Sequence, residues 1–178
     1  ELILNHPNWK YAVGYNDILD AKELKLFELY NGHPHVNNDG DDQHQSTESL
    51  WDELLSSGMR IFGVASDDAH YFHKHSSNLS NPGRGWVMVK SKDLTSDSIT
   101  NAMKSGDFYS SSGVILKNIR ISNNTYFIEI DIDKTEQIIK KNFVVGKIVE
   151  NSPKIKVEFI GDNGTILHTI KNKDQVKY

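Results

Sequence analysis

The pattern of apolar residues changes at about Gly113, and this change limits the possible folds more than any other feature of the chain. Before it, short apolar runs alternate with amphipathic segments of helical period. The runs are ELILNH, LKLFELYN, RIFGVAS and GWVMVK, and the helical segments are SLWDELLSSG and TSDSITNAMKSG. Such alternation is typical of a parallel sheet or barrel. We therefore predict an α/β unit over residues 1–113.

After Gly113 the sequence predicts short strands with no long helix between them. Most of them alternate apolar and polar residues, and SNNT and GDNG provide turn signals. The predicted strands are VILKNIRIS, TYFIEIDI, NFVVGKIVE, KIKVEFIG and TILHTIK. A series of this kind is typical of a small antiparallel sandwich. We therefore predict a small all-β sandwich domain over residues 114–178.

Both helical segments carry signals for their ends. Ser46 and Thr95 are predicted N-caps, because a hydroxyl oxygen can accept a hydrogen bond from a free N–H group of the first turn. Gly58 and Gly106 follow the last apolar residues and are suited to the left-handed conformation at a helix C-terminus. These signals define two helices of about three turns each.

Charge and composition exclude several classes of function. The net charge of -4 provides no broad basic field, so we expect no specific binding of nucleic acid. The absence of cysteine excludes thiolate metal sites, and no apolar run approaches the ~20 residues of a membrane span. The chain opens inside an apolar run without an initiator Met, so we expect it to be the C-terminal part of a longer protein. Its localisation and oligomeric state stay open.

Polar side chains follow three of the predicted strands at the points where they end. Seven of the eight histidines lie before residue 76. His6 follows the first run, Glu28 and Asn31 lie near the end of the second, and Asp68 and His70 follow the third. Because the carboxyl ends of parallel strands share one edge, we expect these groups to lie close together. The alternative is a set of polar loops that bind nothing.

The pair Asp68 and His70 is the sharpest local indication of a metal site. If the backbone is extended there, residues two apart leave the same face, and Asp67 points the opposite way. A carboxylate and an imidazole on one face suit Mn, Zn or Fe better than Ca or Mg. Taken alone, an Asp-x-His pair is a weak signal.

Five segments occur in the order found in one family. They are LNHPNW, FELYNG, GVASDDAH, GRGWVMV and AMKSGDFYSSSGV. In this order the chain resembles the PHP (polymerase and histidinol phosphatase) superfamily, and most closely its bacterial metal-dependent phosphoesterases. The resemblance covers about the first two-thirds of the chain. It implies the C-terminal part of a distorted (β/α)7 barrel, with two or three divalent metal ions at the strand ends.

The resemblance also assigns ligands. His6 matches the histidine of the family's third motif, and Asp68 and His70 match its fourth. Glu28 matches a position beside the site that is not usually a ligand. The family's first motif, H-x-H, and its second motif precede the third, and here only five residues precede His6. The segment HPHVNNDG resembles the first motif superficially, but it follows NHP, so we assign it to a loop at the strand ends.

The implied function is metal-dependent hydrolysis of a small phosphorylated substrate by metal-activated water. Asp68 and His70 would be catalytic, and the metal ligands would be His6, Asp68 and His70. The residues expected to bind substrate are Arg84, as a phosphate clamp, with Asn31 and His33. The chain alone is expected to be inactive, because it carries only part of the family's ligands. Two alternatives stay open: an amide or carbamate hydrolase on the same scaffold, and a non-catalytic binding module.

Overall fold

The computed structural model describes residues 1–141 and 154–178. The chain divides into two compact units, Glu1–Ser112 and Gly113–Tyr178. One predicted strand, NFVVGKIVE, lies outside the described residues.

The first unit is built around a small parallel sheet. Its strands β1 (Ile3–Leu4), β2 (Leu26–Asn31) and β3 (Phe62–Ser66) lie side by side in chain order, and helices α1 (Tyr15–Asp20) and α2 (Thr47–Ser56) connect them. Strands β4 (Trp86–Val89) and β5 (Phe108–Ser111) form a separate antiparallel pair, with α3 (Ser96–Ser105) between them in the chain. The carboxyl ends of β1, β2 and β3 therefore lie at one edge of one sheet.

An apolar core holds the two connecting helices and the parallel sheet together. Removal of these side chains from water is the main stabilising contribution to this unit. The core residues are Ile18 of α1, Phe27 of β2, Leu50 and Leu54 of α2, and Leu24 and Ile61, which precede β2 and β3. This packing fixes the sheet edge on which the polar residues lie.

The helix ends follow the signals in the sequence. The Ser46 hydroxyl accepts a hydrogen bond from the Ser49 N–H (3.0 Å), and the Thr95 hydroxyl accepts one from the Ser98 N–H (3.3 Å). Gly106 ends α3 in the left-handed conformation, at φ 78°. The predicted N-caps and the predicted stop of α3 are confirmed.

Gly106 and Gly58 offer a matched pair for measuring a steric effect. Both have positive φ, but a Cβ on Gly106 would overlap the Phe62 ring, whereas a Cβ on Gly58 would meet nothing within 4 Å. Gly106→Ala should therefore lower the free energy of unfolding by about 1–3 kcal/mol more than Gly58→Ala, which carries only the backbone cost. Urea unfolding followed by tryptophan fluorescence measures this, since Trp9, Trp51 and Trp86 all lie in the first unit. Equal losses would contradict the prediction.

The loops after β1 and β2 are joined by a polar cluster around Asp41. Its carboxylate accepts hydrogen bonds from the N–H groups of Gln43 and His44 (2.9 Å each), from His44 Nδ1 (2.8 Å) and from the Tyr11 hydroxyl (2.8 Å). The Tyr11 and His44 rings stack, with centroids 3.7 Å apart. The backbone hydrogen bond from Gln43, with those from His44 and Tyr11, lowers the pKa of Asp41 from 3.8 to about 2.

This lowered pKa predicts a pH dependence. A carboxyl group with a lower pKa in the folded state stabilises that state above its unfolded pKa, and the contribution is lost as the pH falls through the folded pKa. The difference in unfolding free energy between wild type and Asp41→Asn should be constant above pH 5 and shrink from pH 4 towards pH 2. The exposed neighbour Asp42 provides the control Asp42→Asn, which should track wild type over this range. A constant difference down to pH 2 would contradict the assignment.

The second unit contains two small antiparallel sheets and a helix. Strands β6 (Leu116–Ser122), β7 (Thr125–Ile130) and β10 (Gln175–Lys177) form one sheet in the order β10-β7-β6. Strands β8 (Lys156–Ile160) and β9 (Ile166–Lys171) form the other, and α4 spans Ile132–Lys141. The all-β prediction is wrong at α4. The Asp131 carboxylate accepts a hydrogen bond from the Lys134 N–H (3.1 Å) and caps this helix, so DIDKTEQIIKK continues from a strand into a helix.

The predicted barrel is also wrong. Across residues 1–141 and 154–178 the ten strands divide among four sheets of two or three strands, and the four helices have six to ten residues. A (β/α)7 barrel requires successive parallel strands in one closed sheet. Here parallel pairing stops at β3, because β4 is hydrogen-bonded antiparallel to β5 in a sheet of its own.

None of the described helices combines the length and apolarity that a membrane span requires.

Candidate functional site

A β-bulge in β2 brings two polar side chains to the same face. Residues three apart in a regular strand point to opposite faces. The pairing with β3 shifts between Glu28 and Tyr30, where Leu29 is the extra residue. The bulge reverses the alternation, so Asn31 leaves the sheet on the same side as Glu28. The Asn31 amide then donates a hydrogen bond to Glu28 Oε2 (2.9 Å).

The Glu28 carboxylate connects the ends of all three parallel strands. It is 4% exposed and accepts hydrogen bonds from the Ser66 hydroxyl at the end of β3 (2.6 Å), from the Asn31 amide, and from the His6 N–H after β1. A buried carboxylate is stable only when donors replace its lost hydration. Both carboxylate oxygens of Glu28 accept hydrogen bonds, and these bonds link the loop after β1 to the ends of β2 and β3.

Asn31 extends this network to Asp68. Its Nδ2 donates to Glu28 Oε2 and to Asp68 Oδ2 (3.2 Å), and its Oδ1 accepts from the His33 N–H (2.8 Å). The Asn38 side chain binds both the N–H and the C=O of Asn31 (3.0 and 2.8 Å). At 2% exposure Asn31 offers little surface to a substrate, and its contacts set the positions of Asp68 and His33.

Two residues predicted to be ligands have a strained backbone. His6 has φ 31° and Asp68 has φ 47°, a region that costs a residue other than glycine about 1–3 kcal/mol. The backbone at Asp68 is therefore not extended, so the condition under which Asp68 and His70 would leave the same face of a strand is not met. The left-handed turn still brings the two together, because the His70 ring folds back onto the Asp68 carbonyl.

The His70 ring has a defined tautomer. Its Nδ1 lies 2.7 Å from the Asp68 carbonyl oxygen, which can only accept, so Nδ1 carries the proton. Ser80 Oγ lies 3.1 Å from the same nitrogen, and Asp68 Oδ1 lies 3.8 Å from it. The lone pair of the neutral ring is then on Nε2. Metal-binding histidines have this arrangement, with one nitrogen held by a carbonyl or carboxylate and the other available to the ion.

The His33 ring has the opposite tautomer. Its Nδ1 accepts a hydrogen bond from the His35 N–H (3.2 Å), so the proton of the neutral ring is on Nε2. Partial burial lowers the pKa of His33; Asp68 opposes this effect, and His35, His70 and Arg84 add to it. A neutral His33 is therefore a hydrogen-bond donor at Nε2.

Aromatic rings surround these histidines. Trp9 lies edge-on to His33 (centroids 5.4 Å apart) and roughly parallel to His35 (6.4 Å), and His33 is perpendicular to His70 (5.7 Å). His6 lies 6.3 Å from Trp9. Trp9 and His35 were not predicted to have a role, although they lie in the segments LNHPNW and HPHVNNDG. His33 and His70 are thus neighbours, and Trp9 lies near both His6 and His33.

Arg84 is placed differently from the predicted phosphate clamp. It is 1% exposed, and its guanidinium donates to the carbonyl oxygens of Gly32 (3.1 Å) and Ser76 (2.7 Å) and to Asn81 Oδ1 (3.4 Å). A Cβ on Gly32 would lie 3.1 Å from Asp67 Cα, so the loops pack closely there. Arg84 joins these loops and does not present its donors to solvent.

The donor types around Asp68 suit a divalent cation, but their number is small. In the described part of the chain, no group of three or more His, Asp or Glu side chains is arranged to hold a metal ion. Asp68 and His70 provide a carboxylate and an imidazole, and their role as ligands stays a prediction. For His6, the structure shows a backbone hydrogen bond to Glu28 and a ring contact with Trp9, and its role as a ligand stays a prediction.

Comparisons of the chain with models of protein families, with curated proteins and with solved structures find no match.

Proposed function

We propose that the chain carries part of a phosphoester hydrolase site in which Asp68 and His70 bind a divalent metal ion. One observation carries the proposal: the Asp68 carbonyl oxygen holds the proton on His70 Nδ1, which leaves the Nε2 lone pair of the neutral ring for an ion. The resemblance of the sequence to metal-dependent phosphoesterases supports the same chemistry.

Glu28 and Asn31 support the proposed ligands Asp68 and His70. Glu28 and Asn31 hold the strand ends together and place one oxygen of Asp68, which leaves Oδ1 for the ion. A bound divalent ion would supply a Lewis acid for phosphoryl oxygens and would lower the pKa of a water molecule. Two protein ligands leave coordination positions for water and substrate oxygens, as is usual for ions that bind phosphorylated substrates.

Metal binding by the whole chain tests the proposal. Mn²⁺ and Zn²⁺ are titrated calorimetrically into wild type, Asp68→Asn and Asp67→Asn. Asp67 is a matched control, because its carboxylate accepts a hydrogen bond from the Gly83 N–H (2.7 Å) in the adjacent loop. We expect Asp68→Asn to weaken binding at least about tenfold, and Asp67→Asn to leave it within about twofold.

Hydrolysis of bis(4-nitrophenyl) phosphate and of 1-naphthyl methylcarbamate, with added Mn²⁺ or with a chelator, identifies the reaction class. The chain alone is expected to cleave neither substrate at an appreciable rate, because it carries only part of the family's ligands, and phosphoester cleavage that the chelator abolishes would show that Asp68 and His70 suffice for the reaction. Cleavage of the carbamate alone would assign the chain to the amide and carbamate class. Metal affinities that are equal in all three proteins would reject the ligand assignment.

A further inference from the structure

We propose that His33 binds a substrate oxyanion through its Nε2–H group and is the phosphate-binding residue of the site. The inference rests on the proposed function for the identity of the substrate. It also assigns to His33 the role that the sequence analysis gave to Arg84.

The His33 ring is held at two points by the backbone network. The His33 N–H donates to Asn31 Oδ1 (2.8 Å), and the ring nitrogen Nδ1 accepts from the His35 N–H (3.2 Å). Asn31 also binds Asp68, so one buried amide sets the spacing between His33 and the proposed metal ligand. A ring fixed in this way loses little conformational entropy when it binds a ligand.

The two neighbouring imidazoles are complementary. His33 presents an N–H at Nε2, whereas His70 presents a lone pair at Nε2. Their rings are perpendicular, with centroids 5.7 Å apart. A phosphoester oxygen can accept the hydrogen bond from His33 while the lone pair of His70 serves the cation that balances the phosphate charge. An ammonium ligand would fit His70 and leave the His33 N–H without an acceptor.

Charges of both signs act on the His33 ring, because Asp68 raises its pKa and Arg84 lowers it. The buried Arg84 guanidinium donates to the carbonyl of Gly32, the residue before His33, and it acts electrostatically on the His33 ring. Trp9 and His35 pack against other parts of the ring and leave it partly exposed. The assignment of an oxyanion therefore rests on the position of the His33 donor and not on the local charge.

The test is titration of inorganic phosphate into the whole chain, with and without Mn²⁺, by calorimetry. His33→Phe keeps an aromatic ring against Trp9 and His70 but removes the donor. His33→Gln keeps an N–H donor, and His73→Phe, at an exposed loop position, is the matched control. A hydrogen bond to a charged group contributes about 1.5–3 kcal/mol, so His33→Phe should weaken phosphate binding about 10–100-fold. His33→Gln should restore part of this loss, and His73→Phe should equal wild type.

The outcomes separate this inference from the proposed function. Mn²⁺ affinity should be unchanged in His33→Phe, since His33 is not a ligand. Wild type that binds phosphate without Mn²⁺ affinity would reject the metal site and retain the oxyanion site. Equal phosphate affinity in wild type and His33→Phe, or no phosphate binding by wild type under either condition, would overturn the inference. So would ¹⁵N-histidine spectra showing the neutral His33 proton on Nδ1.

Discussion

Asn31→Asp is expected to lower the free energy of unfolding of the first unit by about 3–5 kcal/mol at pH 7, the usual cost of an unpaired buried charge. The substitution changes one amide nitrogen to oxygen. That nitrogen donates to Glu28 Oε2 (2.9 Å) and Asp68 Oδ2 (3.2 Å), both of which are acceptors. Three carboxylates would then meet at a position that is 2% exposed. Metal binding at Asp68 should be lost with the network.

The effect of Asn31→Asp should depend on pH. Two adjacent carboxylates raise the pKa of the new carboxyl group in the folded state. A carboxyl group whose pKa is raised in the folded state destabilises that state at the pH values at which the group ionises. The decrease in the free energy of unfolding should therefore be largest near neutral pH and smaller towards pH 4. Urea unfolding by tryptophan fluorescence, repeated across this range, measures it.

Two variants identify the cause of the loss. Asn101→Asp introduces the same change at an exposed position of α3 and should lie within about 0.5 kcal/mol of wild type. Asn31→Leu removes both donors without adding charge, so it should be destabilised at all pH values. An Asn31→Asp protein as stable as Asn101→Asp at pH 7 would show that Asn31 does not join the two carboxylates.

The elements that local patterns specify were predicted from the sequence. The buried runs LFELYN and FGVAS form β2 and β3, and the capping residues at Ser46 and Thr95 begin α2 and α3. Each depends on a few neighbouring residues. The prediction that polar groups gather at the carboxyl edge follows from parallel pairing alone, and the Asn31 amide, which binds both Glu28 and Asp68, shows it for three of the predicted residues.

The features that the sequence did not reveal depend on long-range contacts. The bulge at Leu29 shows only in the pairing with β3, so the link between Glu28 and Asn31 is invisible to a strict period of two. The left-handed backbone of Asp68 likewise depends on distant partners. The barrel was implied by the resemblance, and the apolar run of β4 carries no information on whether it pairs with β3 or β5. In FIEIDIDKTEQIIKK the apolar residues first alternate as in a strand and then follow the spacing of a helix, so the start of α4 is hidden by the strand before it.

Arg84→Met should destabilise the first unit by about 2–4 kcal/mol, since removal of the guanidinium leaves buried carbonyl and amide oxygens without a hydrogen-bond donor. Arg84 binds the Gly32 and Ser76 carbonyls and Asn81 Oδ1, and its side chain is 1% exposed. Methionine retains much of the volume and none of the donors. Arg84→Lys should recover only part of the loss, because an ammonium group does not reproduce the planar fork of the guanidinium.

The exposed Arg60, whose guanidinium lies 5.7 Å from the Phe62 ring centroid, provides the control. Arg60→Met should cost about 1 kcal/mol or less.

The same Arg84 variants distinguish between the two roles considered for Arg84. A clamp that binds phosphate directly would lose phosphate affinity in Arg84→Lys while the free energy of unfolding stayed at the wild-type value. If Arg84 instead joins the loops, both Arg84 variants should have a lower free energy of unfolding than wild type. Their phosphate affinity should then fall only to the extent that His33 is displaced. Urea unfolding and phosphate titration on the same preparations separate the two, because only the first role leaves stability unchanged.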